Sequence, residues 1–171
     1  MPSPEERAAS LITDNRYLSL ATRDSSGPWV APINYVVGPD DCLHFYSAVE
    51  ARHSRALADA ADSAVAIFNS QASSEEVDGL QASGRCTAVP PDELETVHSH
   101  YFEVNFTSPE ERAWWLRPAD EFTGDGKWRF YRLSLEEIFV IDFESIENER
   151  VDRRVAVDAV EMWRLVPPGV H

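Results

Sequence analysis

Lysine is nearly absent from this chain. Lys127 stands alone, arginine supplies the rest of the 15 positive side chains, and 30 acidic residues bring the formal charge to -15. A surface that negative repels phosphate backbones and anionic lipid, which argues against nucleic-acid or membrane-surface binding. Cysteine is scarce as well. Cys42 and Cys86 are the only two, fit no ligand or redox spacing, and sit in apolar strand-like runs where a lone cysteine acts as a small buried hydrophobe. No apolar run approaches membrane-spanning length and no signal peptide precedes the first helix, so a soluble cytoplasmic protein is expected. Gly-rich dinucleotide and phosphate-loop sequences, a nucleophile elbow and an HExxH pattern are all missing. No catalytic residue and no metal ligand can be named from motifs.

What is present suits one domain over residues 1–171, since 171 residues of 43% hydrophobic content can bury a proper core. SPEERAASLI opens with Ser3 as N-cap, Pro4 in the first turn and Glu6 completing a capping box, so a helix over 3–14 should pack on the rest. SPEERAWWLR repeats the device at Ser108, Pro109 and Glu111, and of Trp114 and Trp115 one should be buried and the other cover a neighbouring element or a subunit. Between these helices the pattern is β. RYLSLATR alternates with Leu18, Leu20 and Thr22 on one face, DSSGP turns, and WVAPINYVV follows as a strand that Pro32 marks as an edge or a bulge. GPDD leads into CLHFYS. Later come SAVAIFNS and VDGLQASGRCTAV as strands, PPDELETVHSHYFEV as a helix, KWRFYRL and EEIFVIDFE as a hairpin-like pair, and VEMWRLV as one more strand. Without βαβ alternation, this makes a mainly β (α+β) fold, an antiparallel barrel with peripheral helices.

Histidines carry little signal. His98 and His100 point different ways on a helix, His44 reads as a satisfied barrel residue, and His171 is terminal. The stretch FYSAVEARHSRAL, residues 45–57, carries more. Ser47 and Glu50 form a capping-box pattern for a helix over about 48–61, which places Arg52, His53 and Arg55 in its first turns. Positive side chains are unfavourable there unless something anionic faces them. Either these arginines pair with acids such as Glu50 or Asp59, or the cluster holds an anion beside the Ser47 hydroxyl, with Tyr46 flanking a flat ring.

The order PWVAPINYVV, turn, FYS, ARHSRAL, apolar strand resembles the pyridoxamine 5'-phosphate oxidase-like FMN-binding split-barrel family, and the likeness runs from the first helix to about residue 144. The resemblance implies an antiparallel split β-barrel and a homodimer with FMN at its interface. It implies a phosphate held by Ser47, Arg52 and His53 with Arg55 nearby, and a ring lying along Pro32, Ile33 and Asn34 with Tyr46 beside it. Gln81, Trp128 and Arg129 would reach the cofactor of the other subunit. His53 stands where lysine is usual, which leaves Arg52 to carry most of the charge. The Arg-x-His arrangement of the vitamin-processing oxidases is absent, so vitamin B6 oxidation is not expected. The implied activity is flavin-mediated electron or hydride transfer to a small molecule. The alternatives are a non-catalytic flavin, deazaflavin or haem binding protein of the same fold, and a barrel without cofactor serving as an interaction module.

Overall fold

The computed structural model describes residues 2–73, 77–167 and 169–170. Helix α1 (Pro4–Asp14) has the reciprocal Ser3–Glu6 capping box that its sequence spells out, and it buries Ala8, Ala9, Leu11 and Ile12. Strands β1 (Tyr17–Asp24) and β2 (Gly27–Asn34) form a hairpin. Its turn is held by Asp24 Oδ1 accepting from the Ser26 N–H at 2.8 Å, and Gly27 supplies a φ of 110°. Leu18, Leu20 and Thr22 are the buried face of β1. The strand expected to continue to Val37 breaks at Tyr35, a fully buried corner whose hydroxyl donates to the Ile12 carbonyl at 2.7 Å. Past it, β3 (Val36–Val37) pairs with β4 (Leu43–Ala48) instead of β1.

Helix α2 (Arg52–Asp59), strands β5 (Asp62–Phe68) and β6 (Gly79–Ala88), and helices α3 (Leu94–Asn105) and α4 (Pro109–Trp115) follow. A single 3-10 turn at Ala119–Phe122 precedes β7 (Trp128–Ile141). This is one 14-residue strand rather than the expected hairpin pair, because no turn residue interrupts it; the irregularity in its pairing with β6 is an extra residue, Glu136, opposite the Ser83–Gly84 step. Three elements were misread or missed at the end. Asp142 caps α5 (Phe143–Glu149), then β8 (Arg154–Val157) pairs with β7. VEMWRLV is helical, α6 (Ala159–Leu165), because the Asp158 carboxylate accepts from the N–H groups of Val160 and Glu161.

Among the described residues, eight strands make one antiparallel sheet in the order β2-β1-β5-β6-β7-β4-β3, with β8 also on β7. Curled with β2 and β3 at its open edges, it is a split barrel. Its main core joins the strands to α1, Leu57 of α2 and Met162 of α6. A second cluster joins Val36 and Phe130 to α3 and Phe122. Cys42 and Cys86 are buried and unpaired, and burial pushes their thiols up to about 11 and about 12. Neither α4 tryptophan is buried. Trp114 is 82% exposed, and Trp115 stacks on Phe106 with ring centroids 5.9 Å apart. Among the described residues no helix is long and apolar enough to cross a membrane, and no group of three or more His, Cys, Asp or Glu is placed to hold a metal ion.

Candidate functional site

A cavity of about 480 Å³ opens beside the free edge of β2, within the roughly 300–1,000 Å³ typical of small-molecule sites. Pro32, Ile33 and Asn34 form one wall; Tyr46, Ser47 and His53 close one end; Arg16, Asn105, Glu111 and Trp115 border the rest. The first six come from only two stretches, because β4 runs into α2 directly after β2 and β3 have turned the chain back.

Each end of the cavity has its own chemistry. At one, Ser47 Oγ and His53 Nε2 are hydrogen-bonded at 2.7 Å. His53 is buried, which holds its imidazole below the usual histidine range and so neutral. At the other, a polar ring ties three elements together. Tyr101 Oη and Asn105 Nδ2 both donate to Asn34 Oδ1, at 2.9 and 2.5 Å, and Asn34 Nδ2 donates to the Arg16 carbonyl at 2.9 Å. Arg16 Nη2 completes it with bonds to both oxygens of Asn105, at 2.9 and 2.8 Å. The Asn34 side chain is therefore a strut of the cavity wall. Tyr46 sits between the cavity and the second core, edge-on to Tyr101 at 5.3 Å and to Trp128 at 5.6 Å.

The arginines of the cluster lie outside the cavity lining. Helix α2 starts at Arg52, not near Ala48, because Ser47 and Ala48 remain in β4, paired with Arg129 and Trp128. Its N-cap is Ala51, which makes no side-chain cap bond. Arg52 reaches across to the β1–β2 turn, donating to Asp24 from Nε at 2.7 Å and Nη2 at 3.0 Å, with its guanidinium 4.6 Å from the Trp29 ring centre. Arg55 donates to the Glu50 carbonyl at 2.7 Å and faces its carboxylate at 3.6 Å.

The profile of the family described as pyridoxamine 5'-phosphate oxidase matches residues 4–124. The chain belongs to that family. Solved structures with its fold include a protein of unknown function from Agrobacterium tumefaciens, at 23% identity and TM-score 0.62, covering 79% of this chain and 55% of that one. Another is a heme binding protein from Mycobacterium smegmatis, at 16% identity and TM-score 0.69, covering 96% of this chain and 61% of that one. A FAD-binding protein from Mesorhizobium loti overlaps at 16% identity and TM-score 0.59, covering 78% and 91%. This chain spans just over half the length of the Agrobacterium protein. None of the curated proteins matches it.

Against that family background, the residues expected from sequence divide in two. Pro32, Ile33, Asn34, Tyr46, Ser47 and His53 come together on the cavity. Arg52 and Arg55 do not line it and are tied to Asp24 and Glu50. Gln81 lies on the outer sheet face, where its Oε1 accepts from Arg154 Nε at 3.2 Å. Trp128 packs in the aromatic cluster beneath the Arg117 guanidinium, and Arg129 donates to the carbonyls of Gly124, Gly126 and Trp128. Arg16, Tyr17, Tyr101, Asn105, Phe106, Glu111 and Trp115 were not expected from sequence. Arg16 and Tyr17 reach the cavity from the α1–β1 junction and the others through the packing of α3 and α4, which no local pattern encodes.

Among the described histidines, only His53 lines the cavity. His98 bonds the Arg117 carbonyl, His100 the Val37 carbonyl, and buried His44 bonds Asp40 through Nε2 while its Nδ1 has no partner. His171 falls outside the described residues.

Proposed function

We propose that this chain binds FMN in the cavity and serves as a flavin-dependent oxidoreductase acting on a small molecule. The observation that carries this reading is the meeting of an unpaired strand edge, Pro32–Ile33–Asn34, with Tyr46, Ser47 and His53 around one cavity. The residues fit the group. A flat ring takes main-chain hydrogen bonds from an open edge and packs on Ile33 and Tyr46, while the Ser47–His53 end offers polar groups to a phosphate. Arg52 Nη1 makes no hydrogen bond to the described residues, so one donor pair is open to an anion. Bound there, flavin would supply the electron or hydride transfer, and the chain's part is binding, orientation and exclusion of water. No side chain need act as general acid or base.

Two further parts of the reading rest on the same ground. A homodimer would cover the outer sheet face, where Ala21, Val30, Ala64, Ala66 and Phe139 make an apolar groove around Gln81. That would bring Gln81 against the second copy. The FAD-binding relative supports flavin, and the heme binding relative supports haem as the rival ligand. His53 is the one described histidine on the cavity that could ligate haem iron, and the Ser47 hydrogen bond engages its Nε2.

The test is titration of the purified protein with FMN in low-phosphate buffer, followed by flavin quenching and the visible spectrum, and repeated with deazaflavin and haem. Saturable FMN binding is expected. A protein that ignores FMN and takes up haem or deazaflavin instead would refute the assignment.

A further inference from the structure

We propose that Asp24 withholds Arg52 from the flavin phosphate, so that flavin is bound as an exchangeable co-substrate rather than as a resident group. The proposal rests on the flavin reading of the cavity. Arg52 spends its forked Nε–Nη2 edge on the Asp24 carboxylate, at 2.7 and 3.0 Å, and one face on Trp29. That edge is the one arginine uses to grip a phosphate in two-pronged fashion. Only Nη1 is left. Asp24 cannot swing aside without cost, because the Ser26 N–H in the hairpin turn also holds its Oδ1. The arginine beside it holds its carboxyl down to about 2, so the pair stays charged across the physiological range.

The other cations near Ser47 are also engaged within the chain: Arg129, opposite Ser47 on β7, donates to the carbonyls of Gly124, Gly126 and Trp128. Arg55 is engaged by Glu50, His53 is neutral, and Arg16 lies across the cavity on Asn105. A phosphate dianion approaching Ser47 and His53 therefore meets guanidinium groups whose donors are already engaged within the chain, on a chain of net charge -15. Ring contacts would supply most of the affinity, and the phosphate little. A family member that gives its flavin up this readily exchanges it with solution, which suits supplying or consuming reduced flavin.

Riboflavin, which has the same ring and no phosphate, makes this measurable. Dissociation constants for FMN and riboflavin are compared in wild type, Asp24→Asn, Arg52→Gln and the double variant. Asparagine keeps an oxygen for the Ser26 N–H and removes the charge; Asp24→Ser is a second carrier that also suits the turn. Wild type should show an FMN-to-riboflavin preference below about threefold and lose FMN on desalting. Asp24→Asn should tighten FMN about tenfold, leave riboflavin unchanged and retain FMN through the column. The double variant should return to the wild-type ratio, because the gain runs through Arg52. An unchanged or reduced FMN preference in both Asp24 variants, or wild type keeping stoichiometric FMN, overturns the proposal while leaving flavin binding intact. If none of the proteins binds either flavin, the flavin reading falls and this proposal with it.

Discussion

Replacing Gly84 with alanine should damage the barrel more than a methyl added to either of the other strand glycines, Gly27 and Gly79. Gly84 sits at the irregularity where β6 crosses β7, opposite Leu135. A Cβ there would lie 2.1 Å from the Ser134 carbonyl oxygen, 3.1 Å from its carbon and 3.2 Å from the Leu135 Cα. All three are backbone atoms of the central strand, so no side chain can rotate away. Restoring the oxygen contact to about 3.5 Å requires β7 to retreat by about 1.4 Å. Such overpacking costs about 1–3 kcal/mol, and each ladder hydrogen bond lost beside it about 1 kcal/mol more. Alanine's smaller unfolded-state entropy returns about 0.4–1 kcal/mol. The net loss is about 2–3 kcal/mol. Urea unfolding should show a midpoint about 1 M lower with an unchanged slope, taking a slope of about 2–3 kcal/mol/M. Gly27→Ala is the comparison, since a Cβ there meets nothing within 4 Å and only the φ of 110° is strained; it should cost about 1 kcal/mol. A Gly84→Ala midpoint equal to wild type, or a larger loss in Gly27→Ala, would show that β7 yields freely and the reasoning is wrong.

Stability should fall in mild acid before carboxylates titrate. Burial holds both His44 and His53 below the usual histidine range, so the unfolded chain binds protons near about pH 6.5 that the folded chain refuses, and stability drops as pH falls below that value. A urea midpoint at about pH 5.5 that equals the one at about pH 7.5 would contradict this. Ala64→Arg, a charge placed on the exposed outer sheet face, should turn the proposed dimer into a monomer in sedimentation experiments while the circular dichroism spectrum stays unchanged. A dimer that survives the substitution would move the interface elsewhere.

Sequence carried the barrel where local chemistry and tertiary packing agree. The Ser3–Glu6 box opens α1, the alternation of Leu18, Leu20 and Thr22 is the buried face of β1, and Pro32 lies on an edge strand. It misled where one signal serves two structures. Ser47 and Glu50 look like a capping box, yet Ser47 stays in β4 because pairing with Arg129 and bonding to His53 satisfy it better. VEMWRLV suits a strand by its apolar residues and a helix by its Asp158 cap, and the cap won since α6 can lay Met162 into the main core. At the site, residues contiguous with β2 and the β4–α2 junction were legible because their order is the family's signature. Asn105 and Arg16 were not, since 89 positions separate two partners joined only by packing.

The electrostatic conflict of three basic side chains at a helix start is settled inside the chain. Arg52 has Asp24, Arg55 has Glu50, and His53 gives up its charge to burial. An anion is therefore not needed to explain why the sequence tolerates the cluster, and charge by itself is weak support for a phosphate there. The support comes from shape: an open strand edge, an aromatic and a hydroxyl–imidazole pair converge on one cavity. That ordering has a consequence. If ring contacts dominate, ligands should rank by their flat ring rather than by their charge. A cluster built to seize phosphate would rank FMN far above riboflavin, and self-neutralised arginines should not.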